Sequence, residues 1–133
     1  MSLQLLVPGV EVGVVTTNLD PMLAFYRDML GLEHQGELAF PGGSMQRFAL
    51  GQSTLKLVSY DEPPAGEVVP GGGQAARGLR YITLVVGNAR EMLAKLEAAG
   101  HPIVEPISEF VPGAGFFFTA DPDGNWVELA GPI

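Results

Sequence analysis

The chain has 133 residues, a formal net charge of −8, seven Lys and Arg residues and no cysteine. So few cations cannot neutralise many phosphates, which argues against a nucleic-acid partner, and the missing thiols exclude disulfides and thiolate metal sites. The length fits one compact domain, and the apolar runs fall well short of the roughly 20 residues of a membrane span, so we expect a cytoplasmic protein with no membrane partner and no secretory signal.

The first half of the chain predicts a strand, a helix and three more strands. Residues 10–16 form a Val-rich apolar run that is typical of a buried strand. Asn18 or Asp20 begins a helical pattern that ends at Gly31. Strand patterns follow at residues 32–38, 45–50 and 54–59, and Pro- and Gly-rich turns separate them.

The second half predicts the same series again. Residues 61–78 form a Pro/Gly-rich linker without periodicity. A strand at 80–86 precedes a helix that Asn88 and Glu91 begin in an arrangement like a capping box. Strand patterns at 102–107, 115–120 and 126–130 complete the chain, with a strong DPDGN turn at residues 121–125.

Residues 11–30 and 81–100 are two copies of one unit. At an offset of 70 residues, Val15 matches Val85, Asn18 matches Asn88 and Met22 matches Met92. An internal repeat of this length indicates one supersecondary unit used twice. We therefore expect a pseudo-twofold arrangement, with function in a cavity that both copies line.

Two motifs resemble those of the vicinal oxygen chelate superfamily, which includes lactoylglutathione lyases, extradiol dioxygenases and bleomycin-resistance proteins. They are FYRDMLGL at residues 25–32 and DPDGNWVEL at residues 121–129. The resemblance implies an α+β fold of two tandem βαβββ modules, whose eight strands form a cupped mixed sheet with helices outside. Residues 1–133 would then be a single domain, with modules at about 8–60 and 79–131 joined by the linker 61–78.

Metal-dependent members of that superfamily hold an ion at four places, on the first and fourth strand of each module. The resemblance puts Glu11, Lys56, Tyr81 and Glu128 there. Of these only Glu128 is a usual ligand at its place, and a protonated lysine has no lone pair to offer. No cofactor is therefore favoured; a divalent metal, if bound, would use Glu11 and Glu128.

Strand alternation places the same side chains without the resemblance. Glu11, Gly13 and Val15 share one face of the first strand, and Tyr81, Thr83 and Val85 share one face of the fifth. We expect these faces to line the cup, with Lys56 within salt-bridge reach of Glu11 or Glu128, since a cation lowers the repulsion between carboxylates.

The candidate site residues follow from this placement. Glu128, Tyr81 and Lys56 are the candidate catalytic residues, and Glu11, Arg47, Phe117 and Trp126 are the candidate substrate contacts. A buried salt-bridge cluster and a satisfied core tyrosine are the structural alternatives for the same residues.

The functional hypothesis is a protein of this superfamily that binds a small polar or anionic organic molecule, without the usual catalytic metal. The alternatives are a lactoylglutathione-lyase-like or ring-cleaving enzyme that uses Glu11 and Glu128, and a drug-sequestering resistance protein. Whether the chain is an enzyme is left open. A homodimer is expected, because open cups of this family commonly pair.

Overall fold

The computed structural model describes all 133 residues, which divide into two compact units, Met1–Gly66 and Glu67–Ile133. Each unit contains a strand, a helix and three more strands in that order. Eight strands form two four-stranded sheets; in each, the unit's first strand pairs with its fourth, the fourth with the third, and the third with the second. The predicted α+β class and the repeated βαβββ series are therefore confirmed.

The strands of the first unit are β1 Glu11–Val15, β2 Glu33–Phe40, β3 Gly43–Leu50 and β4 Ser53–Tyr60, and its helix α1 spans Leu19–Leu23. Strand β1 pairs in parallel with β4, and β3 pairs antiparallel with both β4 and β2. The helix α1 packs against β4. Alternation along β4 sends Leu55 and Leu57 into the core with Phe48.

The helix of the first unit widens halfway along, which the sequence pattern did not predict. Residues Ala24–Met29 after α1 form a π-helix, in which the N–H of Leu30 donates to the carbonyl of Phe25, five residues back, at 2.9 Å. Phe25 and Tyr26 are adjacent in sequence, yet both are at most 1% exposed. The wider turn lets both rings reach the core.

The second unit repeats the topology with the same pairing directions. Its strands are β5 Tyr81–Val85, β6 Ile103–Val111, β7 Ala114–Ala120 and β8 Trp126–Pro132, and its helix α2 spans Ala89–Ala98. The helix contacts β8 and β6. Leu96, Phe117, Val127 and Leu129 form the centre of this core.

Neither helix begins with the side-chain cap that the sequence suggested. Asn18 and Asn88 occupy the N-cap positions, but neither side chain caps a backbone N–H. The amide of Asn88 instead donates to Glu91 at 3.5 Å. The prediction of the helix starts was right, and the capping-box hydrogen bond to the backbone was wrong.

The DPDGN segment forms the tight turn before β8. Asp121 is 4% exposed, and its Oδ1 accepts the backbone N–H groups of Asp123 and Asn125 at 3.0 and 2.9 Å. The motif thus satisfies its buried carboxylate within the turn itself. Neither helix of the chain has the length and hydropathy that a membrane crossing requires.

Candidate functional site

Each sheet has one face against its helix and one face away from it, which we call the first and second open faces. The first open face carries Glu11, Gly13 and Val15, and the second carries Tyr81, Thr83 and Val85. Val15 is 40% exposed, Tyr81 51% and Val85 82%. The alternation that predicted these sets of residues is confirmed within each unit.

The first open face holds a cluster of two cations and one carboxylate. Lys56 Nζ lies 3.3 Å and Arg47 Nη1 lies 3.2 Å from the same oxygen, Oε1 of Glu11. The expected contact between Lys56 and Glu11 is thus present. Arg47 belongs to the cluster because it pairs directly with Lys56 across β3 and β4. The sequence alone did not predict this strand register.

The two cations of the cluster change the pKa of Glu11. The Arg47 guanidinium, and after it the Lys56 ammonium, hold the pKa of the Glu11 carboxyl below its usual value of 4.5. The carboxylate side chain is half exposed, whereas the two cationic side chains are about three-quarters buried. Glu11 is therefore an ionised counter-charge for two cations that lie side by side.

An open hollow of about 430 Å³ lies beside this cluster, on the side of Glu11 and Lys56. Glu11 and Lys56 line it together with apolar side chains, among them Val15, Phe40, Met45 and Tyr60. The rings of Phe40 and Tyr60 meet edge to face at 5.9 Å. The hollow thus combines a charged end with an aromatic end, as small-molecule sites commonly do.

The second open face is aromatic. Phe118 lies beside Tyr81 at 5.2 Å and beside Trp126 at 5.3 Å, between ring centroids. Phe116 and Phe110 extend the row at 6.0 and 6.2 Å. Tyr81, Phe118 and Trp126 thus lie together on one face of the second sheet.

Glu128 lies among these rings. It pairs with Thr83 in the parallel register of β5 and β8, and the Thr83 hydroxyl donates to its Oε1 at 2.6 Å. Within the second unit, Glu128 has no salt-bridge partner.

Phe117 does not belong to the open face, and its assignment as a substrate contact was wrong. It is 0% exposed and pairs with Leu129 on the buried side of the second sheet. The alternation of β7 puts Phe116 and Phe118, rather than Phe117, on the same side as Glu128.

Part of the predicted linker is an ordered border of the second unit. The guanidinium of Arg80 donates to the carbonyls of Val69 and Gly72 at 2.7 and 2.8 Å. A Cβ on Gly72 would clash with the Trp126 ring, and the φ of +64° at Gly72 also favours glycine. We call residues 69–73 the strap; it fixes one side of Trp126.

The donor atoms do not fit the divalent metal that the resemblance implies. No group of three His, Cys, Asp or Glu side chains lies together. Glu11 is already bound to two cations, and Glu128 accepts from Thr83. His34 lies on the other face of the first sheet from Glu11, because its Nε2 contacts Oε1 of Gln46 at 2.7 Å and its ring stacks on buried Phe48.

Several solved structures share this fold along nearly the whole chain. A glyoxalase family protein from Bacillus cereus superposes with a TM-score of 0.83 at 19% identity, with 98% of this chain and 96% of that chain covered. A lactoylglutathione lyase from Agrobacterium tumefaciens gives 0.64 at 26% identity, with 92% and 91% covered. An antibiotic binding protein from Streptomyces sp. CB03234 gives 0.69 at 17% identity, with 92% and 93% covered.

No curated protein matches the sequence significantly. The family model of the Glyoxalase/Bleomycin resistance protein/Dioxygenase superfamily matches residues 10–129, which include both open faces. With the repeated βαβββ units and the FYRDMLGL and DPDGNWVEL motifs, this match shows that the chain belongs to that superfamily.

Proposed function

We propose that the protein binds a small polar or anionic organic molecule on its first open face, without the catalytic metal of the metal-dependent members. The convergence of Arg47 and Lys56 on one oxygen of Glu11 carries this proposal. Like charges directly opposite each other on neighbouring strands destabilise a sheet. Two cations kept together beside a hollow indicate a recognition role rather than a structural one.

The cluster has donors left for a ligand. Its charges sum to +1, from two cations and one carboxylate, although the whole chain carries −8. A guanidinium has five N–H donors and an ammonium has three, while Glu11 takes one from each. A carboxylate, phosphonate or phenolate oxygen can therefore approach both cations, while its apolar part lies against Phe40 and Tyr60.

The same geometry weighs against the metal-dependent lyase or dioxygenase. A divalent ion at Glu11 would have to displace both cations and lie close to the Lys56 ammonium. The likeness to a lactoylglutathione lyase supports the family and the fold, and the donor atoms support binding without a metal. Elemental analysis separates the two: about one Ni, Zn, Fe or Mn per chain, lost in Glu128→Ala, would favour the metal-dependent alternative.

Lys56 is the candidate catalytic residue on this face, because an ammonium group can move a proton at a bound substrate. The catalytic roles predicted for Glu128 and Tyr81, which lie on the second open face, stay predictions. A sequestering protein would bind the same ligand and release it unchanged. The fold shared with an antibiotic binding protein supports this sequestering alternative. Recovery of unaltered ligand from the complex would favour it over an enzyme.

Binding to the first open face can be tested with matched small probes. Benzoate and phenylphosphonate carry the anion and the ring, and benzamide is the neutral counterpart. We expect the acids to shift the backbone amide signals of β1, β3 and β4 in a two-dimensional NMR titration, and benzamide to shift them much less. Arg47→Met and Lys56→Met should each weaken binding about tenfold, as the loss of one charge-assisted hydrogen bond implies.

Arg27→Met is the control, since Arg27 pairs with Asp28 on the helix of the same unit at 2.8 Å. It should leave the affinity unchanged. Equal responses to benzamide and to the acids, or equal losses in the Arg27 and Arg47 variants, would contradict the proposal.

A further inference from the structure

A second open hollow lies at the start of β5, within the second unit; we call it the β5 hollow. It has a volume of about 470 Å³ and is lined by residues between Gly73 and Tyr81. The lining includes two arginines, Arg77 and Arg80, and the Tyr81 phenol, but no aspartate or glutamate. The hollow is therefore a local concentration of positive charge on a chain whose net charge is −8.

Two hydrogen bonds to the strap orient Arg80. Its Nε donates to the carbonyl of Gly72 at 2.8 Å, and its Nη2 donates to the carbonyl of Val69 at 2.7 Å. Both acceptors are neutral, so they fix the guanidinium without cancelling its charge. A guanidinium has five N–H donors, and those that the two carbonyls do not take are left for a ligand.

Arg77 adds a second cation to the β5 hollow. Arg77 is exposed, and within the second unit it has no salt-bridge partner. The two guanidiniums give the hollow a charge of +2, because no lining residue is acidic. The cluster of the first open face differs, since Glu11 there reduces the sum of its two cations to +1.

Tyr81 gives the β5 hollow an aromatic wall. Its ring meets Phe118 edge to face at 5.2 Å, and a Cβ added to Gly73 would lie 3.9 Å from its Cε1. These neighbours hold the ring in position, while the residue stays 51% exposed. Charged donors beside an aromatic ring, in a hollow of this volume, are typical of a site for a small molecule.

The charge and the donor geometry of the β5 hollow favour a phosphate group. A planar guanidinium can bind two phosphate oxygens through parallel N–H···O bonds. A phosphate monoester carries a charge of about −1.5 to −2 at pH 7, which balances two arginines, whereas a carboxylate balances only one. Nucleic acid would need more cations than the two of this hollow.

We infer that the β5 hollow binds the phosphate monoester of a small organic molecule, with the phosphate on Arg77 and Arg80 and the organic part on Tyr81. This inference does not rest on anion binding by the first open face. The two hollows also differ in the charge that they suit, because the cluster at Glu11 has a charge of +1 and the β5 hollow has a charge of +2.

Probes of similar shape test the charge requirement. Phenyl phosphate is the dianion, benzoate the monoanion and benzyl alcohol the neutral counterpart, and inorganic phosphate is the anion without a ring. In an NMR titration, we expect phenyl phosphate to shift the backbone amide signals of residues 73–81 saturably, with an affinity about tenfold above that of benzoate. Inorganic phosphate should bind more weakly than phenyl phosphate, benzyl alcohol should shift the signals least, and added salt should weaken the binding of both phosphates.

Variants locate the site. Arg77→Met should weaken the binding of phenyl phosphate about tenfold, as the loss of one charge-assisted contact implies. Arg77→Lys keeps the charge but loses the planar fork, so its affinity should fall between those of Arg77→Met and the unaltered chain. Arg90→Met is the matched control, because Arg90 is an exposed arginine on α2 of the same unit. It should bind phenyl phosphate as the unaltered chain does.

Equal affinities of residues 73–81 for phenyl phosphate and benzoate would overturn the inference, as would equal losses in the Arg77→Met and Arg90→Met variants. Inorganic phosphate that binds as tightly as phenyl phosphate would overturn the contact assigned to Tyr81. Circular dichroism of each variant shows whether it is folded. Benzoate binding to the first open face should survive Arg77→Met, and phenyl phosphate binding to the β5 hollow should survive Arg47→Met, so the two proposals fail separately.

Discussion

At the scale of single residues, Glu11 decides the character of the first open face. Arg47 and Lys56 are direct neighbours across two strands, and their repulsion is relieved because both reach Glu11 Oε1. Without that carboxylate the guanidinium of Arg47 and the ammonium of Lys56 would repel each other on a partly buried surface. An anion bound as we propose would compete with Glu11 for the same two cations.

We expect the pKa of Glu11 to rise towards its usual value in Arg47→Met, because Arg47 is the largest cause of its depression. A carboxyl with a depressed folded pKa contributes stability above its unfolded pKa, and loses it as the pH falls through the folded value. The effect of Arg47→Met on the free energy of unfolding should thus be present at neutral pH and fade below about pH 4.5. NMR titration of the side-chain carboxyl carbons measures the pKa, and denaturant unfolding at about pH 7 and below about pH 4.5 measures the free energy of unfolding.

Asp28 is an internal control for the same titration. Arg27 lowers its pKa on the helix, and Arg47→Met should not move it. An unchanged Glu11 pKa in the variant would mean that Arg47 does not contact the carboxylate in solution.

At the scale of elements, the sequence predicted most of the strands and helices. It predicted only some of the residues that lie on each open face. Alternation correctly grouped Glu11 with Val15 and Tyr81 with Val85, because a strand has a fixed period of two. The residues that pair across two strands depend on the strand register, which the sequence of a single strand does not determine. The sequence therefore did not predict that Arg47 pairs with Lys56 or that Glu105 pairs with Phe118.

Two further errors have local causes. Phe117 was assigned to the site although the alternation of β7 already put Phe116 and Phe118 on the other side from it. The π-helical turn at Ala24–Met29 arises from tertiary packing of Phe25 and Tyr26, which the helical period does not reveal. The positions proposed by resemblance, including the joint placement of Glu11 and Glu128, stay predictions.

The strap gives a prediction about the second unit. Gly72→Ala would place a Cβ on the Trp126 ring at a backbone angle that alanine rarely adopts, so we expect destabilisation of about 1–3 kcal/mol. Thermal unfolding measures the loss, and Trp126 emission should shift as the strap moves away. Gly66→Ala is the control, because nothing lies within 4 Å of its added Cβ; a similar loss in both variants would contradict the packing argument.

At the scale of the whole molecule, large apolar side chains are left uncovered. Leu79, Val85, Phe110 and Val111 are each more than half exposed, at 101, 82, 60 and 51%. Exposed apolar surface of this kind commonly marks a contact between proteins.

We therefore expect a homodimer at micromolar concentration, as the sequence suggested, stable to added salt because apolar burial is not screened. Sedimentation velocity at low and high ionic strength checks both points. A monomer under both conditions would contradict the expectation, and a dimer lost in salt would show that charges rather than apolar side chains hold it.

The equal strand registers of the two units bear on how such a protein diverges. Lys56 pairs with Gly13 in the first unit, and Glu128 pairs with Thr83 at the equivalent position of the second. Each position on one open face therefore has a structurally equivalent position on the other. The buried faces that hold each sheet to its helix need not change for the open faces to change. A duplicated ancestor could thus acquire new ligand preferences through single substitutions in either half, while the other half kept its own chemistry and the fold kept its stability.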